Sequence, residues 1–155
     1  MPTLRELLTN DGRFDRVIAA CESLVESEVD AKRGISGAAV KTGFKVVKKV
    51  RPGIIKSALR ALVPHFCDAL DPVLQASMSA GVEDPAEHFA GELRRDRPGT
   101  AERLLGVTDR KIADASAPVQ KTYKGLRKTA KGHVQDAVPG LVSTLLPFVK
   151  EGVAA

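Results

Sequence analysis

The chain has 155 residues and a formal net charge of +5, with no Trp, one Tyr, five Phe and two Cys. That length suits a single domain burying roughly two-thirds of its unfolded surface. Two cysteines cannot build a disulfide framework, and a core drawn from Ala, Val, Leu and Ile suits packed helices better than a sheet. The start, Met1-Pro2-Thr3-Leu4-Arg5-Glu6, lacks the apolar run of a signal peptide. No stretch approaches the ~20 consecutive apolar residues of a spanning helix, so a cytoplasmic protein without a transmembrane segment is expected.

Helix punctuation recurs along the chain and strand alternation does not. Thr3 with Glu6 forms a capping box ahead of a short helix that Asn10-Asp11-Gly12 stops. Arg13 to Arg33 repeats apolar residues at Phe14, Val17, Ile18, Cys21, Leu24, Val25 and Val29, the spacing of one buried stripe, and Gly34 caps its end. A helix from about Ser36 to Val50 follows. Arg51-Pro52-Gly53 separates it from another, Ile54 to about Leu70, which Pro64 should kink or split. Asp71-Pro72 reads as an N-cap followed by proline at the first helical position, opening a short helix that Gly81 ends. Asp84-Pro85-Ala86-Glu87 is a second such start with a capping box, leading to Arg95. Further helices are expected from Thr100 to Leu105, from about Thr108, from Pro118 to Ala137 and from Pro139 to Lys150. The fold class is therefore all-α, a compact bundle of seven to nine helices in one domain, several of them proline-started or proline-kinked. Cys21 and Cys67 sit at apolar helical positions, where free thiols behave as small hydrophobes.

The modest net charge hides segregation. Met1 to Asp30 sums to −4, Ala31 to Cys67 to +9 without a single acid, Asp68 to Pro118 to −4, and Val119 to Lys150 to +5. In the central stretch Gly34 to Gly53, Ile35, Ala39, Gly43, Val46 and Val50 share one helical face, while Lys41, Lys45, Lys48 and Lys49 gather within about 100° on the other. Gly43 in a helix interior costs about 1 kcal/mol against Ala. Its place beside Ala39 marks a small-residue groove for close packing, against a neighbouring helix of the same chain or, in a homo-oligomer, against a second copy. Phe44 falls between the faces. Arg51, Lys56 and Arg60 extend the basic run. Lys121, Lys124, Arg127, Lys128 and Lys131 form a second stripe of about 120°, opposite Val119, Tyr123, Leu126, Ala130 and Val134. Like charges three and four residues apart are mutually unfavourable, so an anion is expected near both stripes. Asp15, Glu22 and Glu26 on the preceding helix are the internal candidates, and nucleic acid or the ribosome the external ones, bound without sequence specificity. Peripheral membrane contact ranks lower, because the apolar faces use Ala, Val and Gly where interfacial helices favour Leu, Phe and Trp. The uncharged stretch Ala137 to Val149 is apolar enough to touch lipid, but at 13 residues with two prolines it reads as a core helix.

Nothing indicates a catalytic centre, and no cofactor or metal is expected. The cluster His65-Phe66-Cys67-Asp68 lacks paired zinc-ligand spacing, and Ser36, Ser57 and Ser143 sit in no nucleophile elbow. Glu87, His88, Glu92 and Asp96 are explained by a solvated helix face.

Thr3-Leu4-x-Glu6-Leu7-Leu8, Cys21-x-x-Leu24 through Glu28-Val29, Ser36-Gly37-x-Ala39-Val40-Lys41-x-Gly43-Phe44, Lys48 to Pro52-Gly53, and Lys121-x-Tyr123 together resemble a family of small bacterial all-helical proteins of unknown function. The resemblance implies a helical fold and a cytoplasmic setting, and no activity. The expected function is a non-enzymatic helical interaction module with basic faces. The alternatives are a structural, self-assembling protein using the small-residue helix, or a carrier of a hydrophobic ligand between Ala/Val-lined helices.

Overall fold

The computed structural model describes the backbone of all 155 residues and the side chains of all but Val119 and Thr122. Val119, read above onto the apolar side of its helix, thus lies outside the described residues. Seven helices follow in order among these residues, with no strand: α1 (Leu4–Thr9), α2 (Arg13–Ala31), α3 (Gly34–Val50), α4 (Ile54–Met78), α5 (Pro85–Arg95), α6 (Arg97–Ile112) and α7 (Ala117–Ala154). The two long helices, α4 and α7, each pack against α1, α2, α5 and α6, so the core lies between them. Leu4, Leu8, Ile18, Leu70, Leu74 and Leu93 are among its fully enclosed side chains.

Several local stop signals are overridden. α4 runs through Pro64 and Pro72 without ending. Its buried residues Val63, Cys67, Leu70, Leu74 and Ser77 keep one continuous face across both prolines, and burial of that face outweighs the two missing backbone donors. Asp71, expected to cap a new helix, instead accepts a hydrogen bond from the Leu4 backbone N–H at 2.8 Å and so serves the start of α1. α7 likewise continues through Pro139 and Pro147, carried by buried Val138, Val142, Leu145 and Val149. The two helices read around Thr100 and Thr108 are one, α6, whose start is capped by Asp96 accepting from the Gly99 N–H at 2.9 Å.

Other signals hold. The Thr3–Glu6 capping box forms in both directions, at 3.2 and 3.1 Å. Asp84 caps α5 by accepting from the Glu87 N–H at 3.1 Å, but the Glu87 carboxylate turns to Lys150 on α7 at 2.6 Å and does not complete a box. The α1–α2 turn places Arg13 in the interior, where its Nε donates to the Leu7 carbonyl at 2.5 Å. Both cysteines are free and buried.

By length and composition alone the stretch Tyr123–Ala154 is apolar enough to cross a membrane. This qualifies the sequence expectation, which treated Pro139 as a boundary; in the bundle the second half of the stretch is packed as a core helix.

Candidate docking face on helix α3

α3 is bracketed by glycines in the left-handed region, Gly34 at φ 77° and Gly53 at φ 80°, a backbone conformation that L side chains rarely adopt. Lys48 and Lys49 occupy its last turn, where positive charge complements the helix dipole. Among the helices it packs only against α2 and α4, and Gly37 is its one buried residue. That glycine is needed: a Cβ there would lie 2.8 Å from the Lys32 carbonyl carbon, where α3 folds back on the end of α2.

The side of α3 that meets the body is not the one the apolar pattern indicates. Gly37, Val40 and Phe44 turn inward or lie half-buried, whereas Ile35 is 94% exposed, Val50 80%, Val46 55% and Val47 44%. Ala39 and Gly43 are exposed as well, and nothing lies within 4 Å of a Cβ placed on Gly43. The expectation that another helix of this chain fills the small-residue groove is therefore corrected. Periodicity reveals a stripe without saying what it faces, and here the Phe44 ring offers the body more apolar surface than Ala39 and Gly43 do.

The basic residues divide into neutralised and free. Lys48 Nζ reaches Glu26 Oε1 at 2.9 Å and sits 5.2 Å from the centre of the Phe44 ring. Arg60 pairs with Asp15 at 2.7 Å and stacks over Phe14. These two acids of α2 were the internal anions anticipated from sequence; Glu22, the third, makes no ion pair among the described residues. Lys41 is half-buried, lining with Lys45 and Phe44 a cleft against Glu26 and Asp30. Lys45, Lys49, Arg51 and Lys56 are exposed and lack an acidic partner within 4 Å among the described residues.

The second stripe is partly consumed by α6. Arg127 bonds Asp109 through Nε at 3.0 Å and lies 3.5 Å from Glu102, which also pairs with Lys131 at 3.1 Å. Tyr123 donates its hydroxyl to the same Asp109 at 2.5 Å. The Arg127 hydrogen bond, then that of Tyr123, holds the Asp109 carboxyl below the usual range, and burial, seconded by Asp109, pushes the Tyr123 phenol up. Lys121, Lys124 and Lys128 remain exposed and unpaired among the described residues. From α3, Ser36 Oγ meets His133 Nε2 of this helix at 2.9 Å. Seen down α7, the free lysines point about 150° away from His133, so the two stripes do not merge into one basic surface.

Elsewhere, Ser77 Oγ lies 2.8 Å from His88 Nδ1, with Glu92 3.9 Å from the other ring nitrogen, a grouping that sequence separation hid. Ser77 is buried within α4, where the backbone N–H groups are committed to the helix and form no oxyanion hole. His65-Phe66-Cys67-Asp68 disperses around α4: Cys67 enters the core while Asp68 pairs with Arg5 outside. No group of three metal-ligating side chains converges among the described residues.

These features define an all-α bundle carrying one helix with its apolar side outward. The chain belongs to a family of unknown function, DUF6918, whose model matches residues 4–148. No curated protein and no solved structure matches it.

Proposed function

We propose that the protein is a non-enzymatic interaction module that lays α3 on an anionic lipid surface at the cytoplasmic face of a bacterial membrane. One observation carries this: Ile35, Val46, Val47 and Val50 are uncovered, between Lys45 and Lys49 on one flank and Arg51 on the other, none of which has an acidic partner among the described residues. An interfacial helix needs apolar surface to bury and cations at its flanks. A nucleic-acid backbone would use the lysines and leave the apolar stripe in water, so lipid moves ahead of nucleic acid once that stripe is exposed. The small apolar residues favour weak, reversible attachment. Two free cysteines accord with a reducing compartment.

Co-sedimentation with phosphatidylglycerol-containing vesicles, phosphatidylcholine vesicles and labelled duplex RNA, each at low and high salt, tests the proposal. Binding is expected to the anionic vesicles alone and to weaken with salt. Lys45→Glu with Lys49→Glu should lower it at least tenfold, as each cation near the surface contributes about 1 kcal/mol. Failure to bind anionic vesicles at low salt, or tighter binding to RNA, overturns it. Self-association through Ala39 and Gly43 is the second reading, favoured by the open groove at Gly43 and opposed by the lysines that pairing two copies would bring together; light scattering at high concentration reports it.

A further inference from the structure

A second feature lies inside the bundle and is independent of α3. α1, α2, α4, α6 and α7 line a partly open cavity of about 140 Å³, its walls without exception Leu, Val, Phe and Cys side chains. Native interiors have few voids larger than a water molecule, and a cavity with no hydrogen-bonding partner does not hold water. An engineered, wholly apolar cavity of about 150 Å³ stays dry and takes up benzene or xenon. The lining here is richer in leucine than the Ala/Val walls expected from sequence, and both thiols, Cys21 and Cys67, contribute to it. Leu24, Val25, Leu59, Phe66 and Leu141 line the same space while keeping some exposure, and they mark its open side. The deeper walls, Leu4, Leu8 and Leu70, are closed.

We infer that this cavity is a binding site for an uncharged hydrocarbon group of about one aromatic ring, excluding polar analogues of the same size. The exclusion follows from the lining. A ligand hydroxyl held against the Leu4, Leu8 and Leu70 walls would be buried with no partner.

Thermal melting of the full chain with benzene and, separately, phenol tests the inference. Benzene at about tenfold excess over its Kd should raise the Tm by roughly 3–5 °C, and phenol at the same concentration should not. Cys67→Met, which fills part of the space, should lose the benzene response. If that variant does not fold, methyl NMR of the unmodified protein decides: the δ-methyls of Leu8, Leu70 and Leu145 should shift on adding benzene while surface methyls such as those of Val46 stay fixed. Absence of both the melting shift and the methyl shifts, or an equal response to phenol, overturns the inference.

Discussion

Burial pushes the Cys21 thiol up to about 11 and the Cys67 thiol up to about 12, the latter with smaller contributions from neighbouring negative charge. Both are raised above their unfolded value, so their contribution to stability is complete below about pH 9 and is lost as pH rises toward 11 and 12. Urea melts from about pH 8 to 11 should show wild-type stability falling more steeply than that of a Cys21→Val, Cys67→Val variant; parallel curves would contradict this. A thiol reagent near pH 8 should label neither cysteine faster than the protein unfolds. Asp109 behaves oppositely: its lowered carboxyl stabilises above the ordinary carboxylate range, and that contribution is lost as pH falls through the folded value. Because the side chain is 42% exposed, Asp109→Asn should cost under about 1 kcal/mol at neutral pH and less in acid, read from urea midpoints. Buried thiols were legible in sequence from their apolar neighbours. The Asp109 cluster was not, because its members come from two helices whose register no local pattern fixes.

At the level of elements, α3 is the least anchored helix, with one buried residue, and hydrogen exchange should find its amides faster than those of α2 and α4. Gly43→Ala should slow exchange in α3, since an open Cβ position in helical backbone gains about 0.5–1 kcal/mol over glycine. Gly37→Ala should accelerate it, because Lys32 stands in the way. Slower exchange in both variants would contradict the packing described here. Asp71→Ala should cost about 1 kcal/mol by removing the acceptor for the Leu4 N–H, seen as a lower urea midpoint. Helix identity was legible nearly everywhere, since capping residues and apolar spacing agree. The boundaries at Pro72 and Pro139 were misread for one reason: a proline's local cost is visible in sequence, while the buried face that outweighs it is a property of the assembled bundle.

Across the whole molecule, charge segregation that was plain in sequence is resolved by the fold into pairs and remainders. α2 takes up Lys48 and Arg60, α6 takes up Arg127 and Lys131, and among the described residues the rest of the run Lys41 to Arg60 and of the stripe Lys121 to Lys131 have no acidic partner, spread over α3 and its C-cap, the start of α4, and α7. The outward turn of α3's apolar stripe was not legible, because an amphipathic pattern carries no information about which side a body will cover. That turn is the basis for placing α3 on a lipid surface. Since the native thiols are buried, Val46→Cys offers a selectively labelled position in the middle of the stripe. With an environment-sensitive nitrobenzoxadiazole on that residue, emission should shift to the blue and brighten on adding phosphatidylglycerol vesicles at low salt, and revert at high salt. Unchanged emission with vesicles present would show that the stripe does not enter a bilayer and would contradict the proposed docking.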